Sequence, residues 1–121
     1  MLFEDRFIQT YSTGEPVFSQ GSNGAHMYVV LSGIVEIRRE SEGSMRTFAT
    51  LGPGELFGEM AIVDSGVRMA TAVAMQDDTR LVVIDQARFV YLTSQQPAFA
   101  LSVMRVMAQR ILALGQMVPA N

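Results

Sequence analysis

The two most informative stretches of this sequence are GELFGEMA, at residues 54–61, and RMAT, at residues 68–71. Gly58 in the first stretch has no Cβ and lets a ligand approach the backbone, and amides that follow it at a helix start attract anions. Arg68 can add its planar guanidinium to the same anion. Glu59 would repel a phosphate, but an ionised carboxylate accepts hydrogen bonds and suits a hydroxyl group. The pattern predicts a site for a phosphate ester that also carries a hydroxyl.

Short segments rich in β-branched and aromatic residues lie on both sides of these stretches, from about residue 6 to residue 84. Glycine-containing turn signals interrupt them at residues 13–16, 21–24, 42–44 and 52–54. Many short strands at such spacing predict an antiparallel sandwich, jelly roll or barrel. Residues 39–43 are predicted to form a solvated hairpin tip, and LVVI at residues 81–84 a late buried strand.

Two helices are predicted after the last strand. Asp85 suits an N-cap, with the first helix running from Gln86 to Ser94. Pro97 suits the first turn of the second helix, which we expect to end near Leu114 with Gly115 as its stop. The second helix carries apolar residues on more than one face. Two uses beyond packing in its own domain therefore stay open: a seam with a second copy of the chain, or a lid.

Composition narrows the function classes. The 121 residues fit a single domain, and the net charge of −3 gives no basis for direct nucleic-acid binding. The absence of cysteine excludes disulfides and thiolate metal sites, and His26 is the only histidine, too few for a histidine metal centre. There is no signal-peptide pattern and no apolar run approaching the ~20 residues of a membrane span. We therefore expect no metal, no membrane insertion and a cytoplasmic location.

Residues 57–62 together with residues 68–71 closely resemble the phosphate-binding cassette of cyclic nucleotide-binding domains. That family includes catabolite activator proteins, regulatory subunits of cyclic AMP-dependent kinase and cyclic nucleotide-gated channels. The resemblance extends from Arg6 to Leu114 and includes residues 16–21 and 27–37, which are similar to the family's early strands. It implies a mainly β fold: an antiparallel jelly roll (a double-stranded β-helix) with a short phosphate-binding helix and two C-terminal helices. Residues 1–121 would form one domain, with the β-roll at about 6–84 and the helices at about 86–114.

The resemblance also implies roles for individual residues. Arg68 would bind the phosphate oxygens of a 3′,5′-cyclic nucleotide, and Glu59 would accept a hydrogen bond from the ribose 2′-OH. The residues expected to contact the ligand are Gly58, Glu59, Met60, Ala61, Arg68, Met69 and Thr71, with Met60, Ala61 and Met69 acting through backbone N–H groups.

The base is expected to be adenine rather than guanine, so cyclic AMP is favoured and cyclic GMP is less favoured. Where some family members have Thr or Ser, Met69 has no hydroxyl to offer a guanine. The Thr-Ser pair that contacts adenine in catabolite activators matches Leu114 and Gly115, which also lack hydroxyls. Base contact is therefore expected to be apolar, through Ile111, Leu114 or Met117.

The resemblance implies a non-enzymatic sensor without a cofactor, whose C-terminal helices rearrange on ligand binding. A homodimer through the helix from Pro97 to Leu114 is the partner hypothesis. The chain would be a cytosolic module, alone or in a larger regulator, channel or transporter. The main alternative is a degenerate domain that acts as a dimerisation or partner-binding scaffold without ligand. A DNA-binding fragment is disfavoured by the acidic charge, and an enzyme by the lack of a nucleophile or general base near Arg68 in the sequence.

Overall fold

A computed structural model describes residues 5–64 and 66–117 of the chain. The chain forms two compact units, Met1–Gln86 and Ala87–Asn121. All strands of the described residues lie in the first unit, and the second unit is helical.

The first unit begins with a turn of 3-10 helix at Asp5–Phe7 and continues with short strands. Within the described residues the strands are β1 (Ile8–Tyr11), β2 (Pro16–Phe18), β3 (Asn23–Gly24), β4 (Met27–Ser32), β5 (Val35–Ser41), β6 (Ser44–Leu51), β7 (Leu56–Phe57), β8 (Gly66–Val67), β9 (Thr71–Ala74) and β10 (Thr79–Ile84). A single turn of helix, α1 (Met60–Val63), lies between β7 and β8.

The strands form two four-stranded antiparallel sheets, in the orders β1-β10-β4-β7 and β2-β9-β5-β6, and a small ladder between β3 and β8. Neighbours in each sheet are mostly distant in sequence, so the chain crosses repeatedly from one sheet to the other. This arrangement confirms the predicted mainly β antiparallel fold, and it brings β3, β7 and β8 together from distant parts of the chain.

Side chains of both sheets meet in one hydrophobic core. Val30 and Leu81 of the first sheet pack with Val35 and Ala72 of the second, and each is at most 1% exposed. Tyr28 and Phe57 stack with ring centroids 5.2 Å apart, and Phe18 lies 5.9 Å from both rings. Burial of such side chains is the main stabilising contribution to a small domain. The prediction of a buried strand at residues 81–84 is confirmed by β10.

The hairpin of β5 and β6 turns through Glu42 and Gly43, whose φ angles are 54° and 79°. Two positive φ angles in a two-residue loop define a type I′ turn, which matches the right-handed twist of paired strands. The residues around the turn are exposed, as predicted. β6 is the last strand of its sheet, and Met45 and Phe48 on it are 56% and 52% exposed.

The second unit contains most of α2 (Gln86–Gln95) and all of α3 (Pro97–Met117). The rings of Phe89 and Phe99 join the two helices, with centroids 5.8 Å apart. Both helices start where predicted, but the prediction that Gly115 stops α3 is wrong. A glycine inside a helix costs only about 1 kcal/mol relative to alanine, which flanking helix formers can offset. None of the described helices is long and apolar enough to span a membrane.

Candidate functional site

The backbone of Arg68 is fixed against the segment that leads into β3. Its N–H donates to the Ser22 carbonyl oxygen at 2.7 Å, and its carbonyl oxygen accepts from the Gly21 N–H at 2.8 Å. The β3–β8 ladder continues this pairing, with Asn23 opposite Val67. The arginine therefore leaves the end of β8 in a direction set by residues more than 40 positions earlier in the sequence.

The guanidinium of Arg68 points into the protein, and the side chain is only 6% exposed. Its Nη2 donates to the His26 carbonyl oxygen at 2.7 Å, and its Nη1 to the Gly58 carbonyl oxygen at 3.4 Å. Its Cζ lies 4.0 Å from the centroid of the Phe18 ring, a cation–π distance. Burial lowers the pKa of Arg68, and interaction with Tyr28 opposes that shift. Since an arginine stays charged even so, the site holds a largely dehydrated cation.

Gly58 connects β7 to the turn before α1 with a φ of +77°, in the left-handed region. A Cβ at this position would lie 3.1 Å from Arg68 Nη1 and 3.2 Å from the His26 carbonyl oxygen. The left-handed φ favours glycine, and a side chain here would also crowd Arg68 and His26. That a ligand approaches Gly58 stays a prediction.

Glu59 is the most deeply buried charged residue among the described residues, at 1% exposure. It occupies the N-cap position of α1 in helical backbone conformation, and its side chain makes no capping hydrogen bond. An ordinary capping role therefore does not account for it. Because burial of a carboxylate is costly, a buried glutamate at this position suits an acceptor role toward a hydroxyl.

The other predicted contacts surround this pair. The side chains of Met60 and Met69 are 54% and 62% exposed, so a role for these residues falls to their backbones. The Ala61 N–H donates to the Gly58 carbonyl oxygen at 3.2 Å. Thr71 Oγ1 accepts from the Gln20 N–H at 2.9 Å, which ties the start of β9 to the end of β2. Ligand contacts by these four residues stay predictions.

The predicted base contacts lie on α3, and His26 is the only histidine of the sequence. Ile111 on α3 is 67% exposed, and the side chains of Leu114 and Met117 lie outside the described residues. His26 contributes its backbone carbonyl to Arg68, not its imidazole. No group of three potential metal ligands occurs within the described part of the chain.

Sequence reasoning missed three neighbours of Arg68, namely Phe18, Gly24 and His26. Phe18 and His26 carry no local pattern that would link them to an arginine so distant in sequence. The sequence marks Gly24 only as part of a turn signal at residues 21–24. The pairing of β3 with β8 is what brings Gly24 and Arg68 together.

The family model for the cyclic nucleotide-binding domain matches residues 8–96, which include Gly58, Glu59 and Arg68. The chain belongs to this family. This membership confirms the predicted resemblance and the fold it implied.

Known members of the family align with most of this cyclic nucleotide-binding domain. The cyclic AMP receptor protein of Thermus thermophilus is 41% identical over 84% of the chain and 47% of its own length. The cAMP-dependent protein kinase regulatory subunit of Mycosarcoma maydis is 35% identical over 64% of the chain and 15% of its own length. The crystal structure of Thermus thermophilus catabolite activator protein superposes with a TM-score of 0.84 and 37% identity, over 96% of this chain and 53% of that one. The chain thus spans about half the length, or less, of these relatives.

Proposed function

We propose that this domain is a non-enzymatic sensor of a 3′,5′-cyclic nucleotide, and that it binds cyclic AMP in preference to cyclic GMP. The observation that carries the proposal is the buried guanidinium of Arg68. Its Nε makes no hydrogen bond among the described residues, although it is excluded from solvent. A buried charged donor of this kind is expected to gain strongly from an anion, and a cyclic phosphate presents a singly charged one.

In this proposal Arg68 and Glu59 bind different groups of the ligand. The phosphate is bound by Arg68, with backbone amides of Met60, Ala61 and Met69 adding donors. The ribose 2′-OH donates to the Glu59 carboxylate. Since Glu59 is 1% exposed, water can replace that hydroxyl only poorly, and the site should select ribose over deoxyribose.

Two observations support the preference for cyclic AMP: residue 69 has no hydroxyl group, and two relatives are named as cyclic AMP-binding or cyclic AMP-dependent proteins. Met69 has no hydroxyl with which to bind a guanine. The Thermus thermophilus relative is a cyclic AMP receptor, and the Mycosarcoma maydis relative belongs to a cAMP-dependent kinase.

The output proposed for the domain is a rearrangement of α2 and α3. Ligand binding can drive such a change only if the ligand favours one helix arrangement over another. A homodimer through the helix from Pro97 to Leu114 and a role as a cytosolic module of a longer regulator belong to the same proposal. The effector stays unassigned.

Calorimetric titration of the purified chain with cyclic AMP, cyclic GMP and linear 5′-AMP tests the proposal. We expect micromolar or tighter binding of cyclic AMP, weaker binding of cyclic GMP and weakest binding of 5′-AMP, whose extra charge exceeds what one arginine balances. The ratio of the first two dissociation constants measures base selection. No heat with any ligand, from folded protein free of co-purified nucleotide, would overturn the sensor function.

A scaffold without ligand is the second candidate, and the exposed apolar side chains of α3 favour it. Leu101, Met104 and Ile111 are each at least 60% exposed. Large exposed apolar patches commonly mark protein interaction sites. Sedimentation over a range of protein concentrations, with and without cyclic AMP, separates the candidates: a dimer insensitive to cyclic AMP supports the scaffold, and a ligand-dependent change supports the sensor.

A further inference from the structure

Gly24 lies directly against the guanidinium of Arg68. A Cβ built on Gly24 would be 2.5 Å from both Arg68 Cζ and Nη2, and closer still to Nε. Real Cβ atoms do not approach heavy atoms so closely, so any side chain at this position would displace the guanidinium.

The backbone of Gly24 does not itself require glycine. Gly24 lies in β3, paired with Gly66, and its φ is not in the left-handed region. An alanine could therefore adopt the same backbone without strain. The contact with Arg68 is the feature of this position that demands the smallest residue.

We infer that Gly24 is a positioning residue for Arg68: by lacking a side chain it lets the guanidinium lie over Phe18 and donate to the carbonyl oxygen of His26. Phe18, Gly24 and His26 come from adjacent segments of the chain: the end of β2, β3 and the residue before β4. Together they fix the plane and direction of the guanidinium and so restrict rotation about the bonds of the Arg68 side chain. An arginine held in this way loses less conformational freedom when it binds an anion.

This inference predicts that the effect of a side chain at residue 24 is transmitted through Arg68. We expect Gly24→Ala to lower the urea midpoint of the ligand-free chain, because the displaced guanidinium loses its partners while staying near the core. In an Arg68→Ala background the same substitution meets no guanidinium, so it should change the midpoint only by the small general effect of replacing glycine with alanine. Contacting residues commonly show such non-additivity in double-mutant cycles.

The matched control is Gly52→Ala. Gly52 also has a φ outside the left-handed region, and a Cβ there has no neighbour within 4 Å. It reports the general effect of replacing a strainless glycine by alanine, through the unfolded state. We expect Gly52→Ala to have the same small effect whether or not Arg68 is present.

A second arm measures cyclic AMP affinity and rests on the proposed function. Gly24→Ala should weaken binding about tenfold, within the range of couplings between contacting residues, and add no further loss to Arg68→Ala. Stability coupling without any binding by the wild-type chain would sink the proposed function and leave the positioning of Arg68 supported.

Two outcomes would overturn the inference. One is an equal loss of stability from Gly24→Ala in both backgrounds, which would make residue 24 a packing position independent of Arg68. The other is no loss in either background, which would mean that the guanidinium does not lie against Gly24 in solution. If Gly24→Ala alone does not fold, folding of the double variant supports the inference, and its failure to fold overturns it.

Discussion

The β5–β6 hairpin and the cassette (residues 57–62 and 68–71) are held in place by different kinds of contact. In the hairpin the pairs next to the turn, from Ser41–Ser44 to Arg38–Thr47, lie close in sequence, and the positive φ angles of Glu42 and Gly43 define the turn. The cassette has only short pieces of regular structure, and its key side chain is held by a carbonyl 42 positions away. The turn end of the hairpin, residues 39–48, is exposed, while the cassette buries Glu59 and Arg68.

The two regions therefore differ in what their contacts provide: a backbone conformation in the hairpin, and buried charged groups in the cassette. Local pairing gives the hairpin a conformation but leaves Arg39 and Arg46 exposed to water, where charges interact weakly. Long-range contacts give the cassette two dehydrated ionisable groups, whose interactions with a ligand are stronger in the lower dielectric. We therefore expect equivalent substitutions in the two regions to have different effects on cyclic AMP affinity and on the free energy of unfolding.

The largest contrast is expected from removing an arginine in each region. Arg68→Ala should weaken cyclic AMP binding by ~3–5 kcal/mol, the effect of breaking a well-buried charge pair, which is about 2–3.5 decades in the dissociation constant. Arg46→Ala, on exposed β6, should leave affinity unchanged. Calorimetry on both variants, with circular dichroism as the folding check, measures the contrast. Equal dissociation constants in the two variants would remove Arg68 from the binding site.

The next effect compares two glycines with nearly the same backbone. Gly58 has a φ of 77° and Gly43 a φ of 79°, but only at Gly58 would an added Cβ meet other atoms within 4 Å. Gly43→Ala should lower the free energy of unfolding by about 1–2 kcal/mol, the cost of a left-handed alanine. Gly58→Ala adds crowding against Arg68 and His26, for a total of about 2–4 kcal/mol. Urea unfolding of both variants measures the difference. Equal losses of unfolding free energy would show that Arg68 and His26 move aside at little cost.

Ribose recognition supplies a smaller contrast. Cyclic AMP that lacks the 2′-OH should bind ~1–3 kcal/mol more weakly, because the buried Glu59 carboxylate loses the hydroxyl that donates to it. Glu59→Ala should abolish that discrimination, whereas Glu40→Ala, on the exposed end of β5, should preserve it. Competition titrations with the two ligands provide the ratio. A ratio near one in the wild-type chain would contradict the role of Glu59.

The smallest effect belongs to the hairpin alone. Arg39 and Arg46 are directly opposite each other on β5 and β6. Arg46→Glu replaces a like-charge pair by an opposite-charge pair and should stabilise the domain by about 0.2–1 kcal/mol. The gain should shrink in high salt, since exposed charges are screened. Cyclic AMP affinity should not change, and a changed affinity would mean that the two regions are coupled.

The same contrast explains what could be predicted from the sequence. The hairpin tip at residues 39–43, β10 and the starts of α2 and α3 follow from turn, strand and capping signals within a few residues. The end of α3 could not be predicted from Gly115, because the free-energy cost of one glycine is too small to end a helix. The motif predicts Gly58, Glu59 and Arg68 as ligand contacts and gives no signal for Gly24 or Phe18. Those neighbours depend on the pairing of β3 with β8 and on the order of strands in the sheets.

The position of β6 at the end of its sheet has a consequence for the colloidal behaviour of the protein. An edge strand of eight residues offers backbone groups to the strands of other molecules, and Met45 and Phe48 make this edge attractive to them. Arg46 lies between those two residues in sequence, and a second molecule aligned with this edge would have to accommodate its charge. The charge of Arg46, which faces Arg39 within one molecule, therefore also discourages edge-to-edge aggregation between molecules.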